Sequence, residues 1–119
     1  MSDPKDIFTV GSHFEGKAPT VQKTYDALLK ALRRLGPIVE EPKKTSIHLV
    51  NTTALAGVVT RKDYIILTIK SDHKLTGPRI HKIEQVSAKR FHCEVKLASP
   101  ADVNSELISW LKDAYALSV

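Results

Sequence analysis

Basic side chains and histidines are the residues of this 119-residue chain whose types and positions predict a chemical role. The segment 43–96 has 11 basic residues against four acidic ones, a local net charge of +7, and it contains four of the five histidines. Such an excess favours anionic partners, for example nucleic acid, a phosphorylated ligand or an acidic protein. The alternative interpretation is a lysine-rich surface that serves only solubility. The net charge of the whole chain, +5, is modest for a dedicated DNA-binding protein.

The candidate anion-binding residues occupy the polar positions of predicted strands, or the loops beside them. In the clearest strand, 90–97, apolar residues alternate with Arg90, His92, Glu94 and Lys96, which predicts one buried and one open face. Two lysines and a threonine follow Pro42 at the entrance of another strand, and such a group is able to hold an anion. The predicted ligand-binding set is Lys44, His48, Arg79, Arg90, His92 and Lys96.

Other site chemistries lack the residues that they need. Cys93 is the only cysteine, and its alternation with Phe91 and Val95 predicts a core position. His92 and Glu94, with His48 from another strand, are potential metal ligands, but no CxxC, HExxH or HxxxH spacing is present. We therefore predict no metal and no cofactor. GxSxG, GxGxxG and P-loop motifs are also missing, so an enzyme acting on a small anionic substrate is the third hypothesis, after two kinds of binding module.

Two amphipathic helices and six strands are predicted to position these residues. An apolar stripe at helical spacing follows Thr20 and ends at Gly36-Pro37. A second stripe follows the cap signature Ser99-Pro100-Ala101-Asp102 and includes Leu107. Period-two patterns predict strands over Ile38–Glu41, Thr45–Asn51, Ala54–Arg61, Tyr64–Lys70, Lys82–Ser87 and Arg90–Leu97. The short links between most of these strands favour antiparallel neighbours.

The fold class that follows is α+β. We predict a two-layer domain with a mainly antiparallel sheet, a meander, and an N-terminal and a C-terminal helix packed on one face. Residues 1–19 are predicted to be an irregular N-terminal leader and residues 20–119 a single domain. Apolar runs are far too short for a membrane helix and no signal peptide is recognisable, so a cytoplasmic location without membrane partners is expected.

Five blocks of the sequence resemble an uncharacterised bacterial α/β family of unknown function. They are HFEGKAP from His13, LGPIVEEPKKTSI from Leu35, PRIHKIE from Pro78, RFHCEVKLASPADV from Arg90 and ELISWLKDAY from Glu106. Members of that family stand alone in hypothetical proteins or lie at the C-terminus of some predicted transport proteins. The resemblance implies a fold and a family, without an activity. Some members have a zinc-ribbon-like piece whose cysteines this chain lacks, so no zinc is implied here.

Two classes of function remain open from the sequence. In the first, the protein binds an anionic ligand or nucleic acid on a basic sheet face. In the second, the open face or a strand edge binds another protein, including a second copy of this chain. Tyr64 and Ile66, on the polar phase of their strand, would supply apolar contacts for the second class. Ionic strength separates the two, because only the first should weaken steeply with salt.

Overall fold

The computed structural model describes residues 8–119, which form one six-stranded sheet and two helices. In chain order the elements are α1 (Pro19–Arg33), β1 (Val39–Pro42), β2 (Ile47–Val50), β3 (Ala54–Thr60), β4 (Ile65–Ser71), β5 (Ile80–Ser87), β6 (Arg90–Leu97) and α2 (Ser105–Ala116). Short 3-10 turns cover Gly11–Phe14 and Pro100–Asp102. Within the described residues, neither helix is long and apolar enough to cross a membrane.

All neighbouring strands are antiparallel, in the order β1-β2-β3-β4-β6-β5. The first four strands follow one another as a meander, and β5 and β6 form a hairpin that joins the sheet through β6. The predicted α+β class with a mainly antiparallel sheet is therefore confirmed. The hairpin places β6 in the interior of the sheet and leaves β1 and β5 as its two edges.

The loop between β4 and β5 makes this strand order feasible. It must return past β6, because the start of β5 lies beside Val95 whereas β4 ends beside Phe91. Leu75, in the middle of the loop, is buried against Phe91 and Cys93. Those two side chains are on the helix-covered face, so the loop crosses there and Leu75 extends the core.

Both helices cover the same face of the sheet and bury its apolar phase. Val21, Tyr25, Leu28 and Leu32 form the buried stripe of α1, as the spacing predicted. The cap at Ser99 forms a capping box, but on the 3-10 turn. The helix α2 begins later because Asn104 supplies a second cap, accepting a hydrogen bond from the Leu107 backbone N–H at 3.1 Å.

A β-bulge in β3 turns one additional side chain toward the helices. Leu49 pairs with Ala56 and Val50 pairs with Ala54, so Leu55 has no partner in β2. Bulges of this kind place two successive side chains on one face. Leu55 and Ala56 are accordingly both buried in the core, although simple alternation would expose one of them.

The described part of the predicted N-terminal leader packs against the domain, and residues 1–7 lie outside the described residues. Phe14 is buried and its ring centroid lies 5.1 Å from that of Tyr25. The Tyr25 hydroxyl donates a hydrogen bond to Glu40 Oε2 at 2.6 Å, linking α1 to β1. Burial, followed by this carboxylate, raises the pKa of Tyr25 well above its ordinary value, so the phenol stays neutral.

Leu107 tests the assignment of the buried helix face. Its side chain is 0% exposed and belongs to the main core. We expect Leu107→Ala to lower the free energy of unfolding by about 2–5 kcal/mol, the range for such cavities. The matched control is Lys112→Ala on the exposed side of α2, for which a change below about 0.5 kcal/mol is expected. Equal effects of the two substitutions in chemical denaturation would contradict the packing.

Candidate anion-binding grooves on the open sheet face

The face of the sheet without helices has a shallow groove centred on Gly57, which we call the Gly57 groove. Its volume is about 260 Å³. The side chains around it come from four strands. His48, Gly57 and Thr68 stand in one cross-strand row on β2, β3 and β4, and this row continues to Glu94 on β6. His92, also on β6, lies in the neighbouring row, opposite Lys70. Those that define its outline are His48, Val59, Thr68, Lys70 and His92.

The groove exists because position 57 has no side chain. A Cβ built at Gly57 would have His48 Cδ2 at 3.9 Å as its nearest neighbour. The backbone there is ordinary strand, without a positive φ, so glycine is not required by conformation. Glycine in a strand interior often marks a place where a ligand or another chain approaches the backbone.

A lysine and a histidine meet at one side of the Gly57 groove. Lys70 and His92 are directly opposite each other on β4 and β6, which brings their Cβ atoms to about 4.5–5.5 Å. Lys70 Nζ donates to Thr53 Oγ1 at 3.0 Å and, among the described residues, is in no ion pair. Burial, with the Arg90 guanidinium second, lowers the pKa of Lys70. This lysine therefore lacks the neighbouring negative charge that would stabilise its ammonium.

The six residues predicted from sequence lie at four different places. His48 and His92 both line the Gly57 groove, and Arg90 lies close enough to act on Lys70. Lys96 is on the same face, but its Nζ lies 4.4 Å from the centroid of the Tyr64 ring in a cation–π contact. Lys44 and Arg79 are outside the Gly57 groove.

Arg79 holds the start of α2. Its guanidinium donates to Asn104 Oδ1 at 2.9 Å, to Glu106 Oε1 at 3.3 Å and to the Asp102 carbonyl at 2.6 Å. These contacts use much of the donor fork. The structure thus gives Arg79 a stabilising role at the β4–β5 loop, away from the other cations.

Lys44 belongs to a second groove at the end of the sheet, which we call the terminal groove. Its volume is about 490 Å³, and Lys17, Lys44 and Arg61 lie around it with Ser12, His13 and Thr45. Among the described residues, Glu15 is the one carboxylate in its lining. The three basic side chains are in no ion pair within the part of the chain that the structure describes, whereas Lys43 is paired with Glu41 at 3.8 Å.

Hydrogen bonds between three segments fix the terminal groove. The His13 ring Nε2 and the Lys43 carbonyl are 2.8 Å apart, and Thr60 Oγ1 donates to the His13 carbonyl at 2.6 Å. The Ala18 backbone N–H donates to the Lys62 carbonyl at 2.7 Å. The segment before α1 is thereby joined to the β1–β2 turn and to the β3–β4 turn.

Sequence reasoning missed Lys70, Gly57 and Lys17. Lys70 is on the same strand phase as Tyr64 and Ile66, which were assigned to the open face, so alternation alone was sufficient to find it. The isolated glycine at 57 was also a recognisable feature. Nothing local placed Lys17 beside Lys44, because that neighbourhood depends on tertiary packing of the leader.

Metal binding and a nucleophilic cysteine are not supported within the described residues. Between residues 8 and 119 no group of three or more His, Cys, Asp or Glu side chains is arranged to hold a metal ion. Cys93 is free and fully buried, as predicted from its strand phase. Its sequence neighbour His92 is on the opposite face of the sheet, so the two side chains do not form a nucleophilic pair.

Comparison with known proteins gives a family. The profile named Domain of unknown function (DUF5655) matches residues 10–118. The chain belongs to the DUF5655 family. No curated protein and no solved structure matches it. The match begins at Val10, so the segment that builds one side of the terminal groove is part of the DUF5655 domain.

Substitutions at Gly57 and Gly36 test whether each glycine leaves free space or is required by its backbone conformation. We expect Gly57→Ala to leave the DUF5655 fold intact and to raise the free energy of unfolding by up to about 1 kcal/mol, because space is available and the unfolded chain loses entropy. Gly36→Ala should destabilise by more than about 1 kcal/mol, since φ is +156° and a Cβ would collide with the Tyr115 hydroxyl. Thermal or chemical denaturation compares them; similar losses for both would show that position 57 has no free space.

Proposed function

We propose that this DUF5655 protein is a binding module that holds a phosphate-bearing ligand in the Gly57 groove. The observation that supports the proposal is the convergence of His48, Lys70 and His92 around a strand floor that lacks a side chain. The Thr68 hydroxyl lies between these side chains and supplies an additional polar contact. An anion there would complete the charge environment of Lys70, whose pKa is lowered by burial and Arg90.

The affinity for a single phosphate should be low. An exposed ion pair contributes about 0.2–1 kcal/mol, because water screens the charges and the side chains lose entropy. Three such contacts therefore give roughly 0.6–3 kcal/mol. Binding in this range responds strongly to ionic strength, since the Debye length is about 8 Å at 0.15 M salt.

Acidic neighbours on the open face reduce the positive charge around the Gly57 groove. Glu41 is opposite His48 on β1, and Glu84 is opposite His92 on β5. Glu94 lies on the same face of β6, opposite Thr68. Histidine is the side chain that gains its charge between about pH 8 and pH 6. Protonation of His48 and His92 would therefore shift the balance around the groove toward positive charge and favour an anion.

The first test is a titration with inorganic pyrophosphate followed by amide chemical shifts. We expect shifts at Gly57 and Thr68, tighter binding at pH 6 than at pH 8, and weaker binding as salt rises. His48→Gln/His92→Gln should remove most of the pH dependence. The exposed His81 on β5 offers a matched control, because His81→Gln should leave the pH dependence unchanged. Pyrophosphate shifts spread over the helices, or none at low salt, would reject the site.

Self-association through β5 is the second candidate function. This edge strand is exposed along its length, with Ile83 at 38% and Val86 at 45% exposure. If two copies pair antiparallel about Ile83, Lys82 of each copy is opposite Glu84 of the other, which gives two opposite-charge pairs and one apolar pair. The alternative edge, β1, has four residues and ends in Pro42, so it is less suited to pairing.

Concentration-dependent sedimentation tests the β5 interface. We expect a dimer that Ile83→Lys dissociates, because two like charges would then face each other at the centre. The charge-swapped pair Lys82→Glu/Glu84→Lys should preserve dimerisation, since the complementary pairs are restored in every homodimer. A monomer at all accessible concentrations would exclude this function without affecting the Gly57 groove.

The location and context of the protein remain predictions. We infer a cytoplasmic location from the sequence. The resemblance adds a bacterial source and, in some relatives, a position at the C-terminus of predicted transport proteins. An enzyme acting on a small anionic substrate remains the third hypothesis.

A further inference from the structure

We infer that the Gly57 groove and the terminal groove form one continuous track that binds single-stranded nucleic acid. This inference rests on the proposed function and names its ligand class. It adds the terminal groove as a second subsite, so that one chain of phosphates is held at two places.

The two grooves adjoin at β3. Val59 lines both, and the consecutive residues Thr45 and Ser46 line one groove each. From Gly57 to Arg61 the strand advances four residues, a distance of about 13 Å. A ligand that reaches both ends of the track must therefore be longer than a pyrophosphate.

Positive charge is concentrated at the two ends of the track. His48, Lys70 and His92 surround the first end, and Lys17, Lys44 and Arg61 surround the second. The hydrogen bonds of His13 and Thr60 hold the second end in place before any ligand arrives. A preformed site of this kind avoids part of the ordering cost of binding.

Between the two ends of the track, two apolar side chains lie side by side, and Lys96 borders them opposite Ile66. Val59 and Ile66 are directly opposite each other on the open face, and the Tyr64 ring lies nearby with Lys96 over it. Inorganic polyphosphate would place charged groups over this apolar surface. In a single-stranded nucleic acid the sugars between the phosphates carry unstacked bases. The bases can contact the apolar side chains while phosphates contact the cationic ends of the track. A duplex keeps its bases paired and stacked, so it gains nothing from the apolar middle.

Tyr64 is the only aromatic residue of this region, which limits base stacking. Aromatic platforms contribute much of the affinity in other single-strand-binding proteins. Here the phosphate contacts should dominate, with little sequence preference. The expected signature is a steep salt dependence, with a slope of about −0.7 in log K against log salt for each neutralised phosphate.

The experiment is a length series of oligothymidylates, from dinucleotide to decanucleotide, titrated at several salt concentrations. Affinity should rise steeply once the ligand spans both grooves, and amide shifts should appear at Gly57 and at Thr45 together. Lys44→Ala/Arg61→Ala should weaken the longest ligand about tenfold and reduce the salt slope by about 1.4, for two lost phosphate contacts. The same variant should leave pyrophosphate binding at the Gly57 groove unchanged.

Lys23→Ala/Lys112→Ala is the matched control, because it removes the same two charges from exposed positions on the helices. It should bind the decanucleotide nearly as the natural sequence does. The track is disproved if affinity does not rise with length, if both double variants weaken binding equally, or if duplex or inorganic polyphosphate binds as tightly as the single strand. Pyrophosphate binding that persists in those cases would leave the proposed function standing. Oligonucleotide shifts at Thr45 without any at Gly57 would also overturn the track, whereas only the absence of pyrophosphate shifts at Gly57 would overturn the proposed function.

Discussion

The structure depends on burying one face of a single sheet. Two helices and the Leu75 loop cover that face, and every strand except the edge strands places its apolar phase against them. Burial of this apolar area is the dominant favourable contribution to folding. Because both helices lie on the same side, nothing within residues 8–119 covers the opposite face as the helices cover the first. Its side chains are therefore free of packing requirements, and the charged residues of the strands collect there.

Alternation and capping made most of the fold predictable from the sequence. Helix stripes, strand phases and the two-layer class follow from local periodicity, which one sequence contains. The order of β5 and β6 in the sheet does not follow from local periodicity. An eight-residue link such as 72–79 is compatible with a hairpin as well as with a crossover. Burial of Leu75 decides between them, and that is a tertiary contact. The bulge at Leu55 likewise breaks alternation through pairing with β2, which no local pattern encodes.

The position of β6 decides what the candidate site contains. Beside β4, it brings His92 opposite Lys70. At an edge, beyond β5, the same histidine would be two strands away from that lysine, or about 10 Å. His48 and His92 were therefore predictable as open-face residues, but their meeting around Gly57 was not. Arg79 shows that a charge alone does not identify a ligand-binding residue. Its charge suggested a ligand, but its hydrogen-bond partners are the backbone and side chains at the start of α2.

The surroundings of Lys70 are the basis for proposing that the open face binds a ligand as well as serving solubility. A solubilising lysine is most effective when it is fully hydrated, with charges of both signs interspersed around it. Lys70 is half-buried, lies opposite a histidine, and has Arg90 as a further positive neighbour. Lys82 shows that a more exposed position for a lysine exists on the same sheet face. An anion beside Lys70 would complete this group of side chains, and for that reason we propose binding at the Gly57 groove.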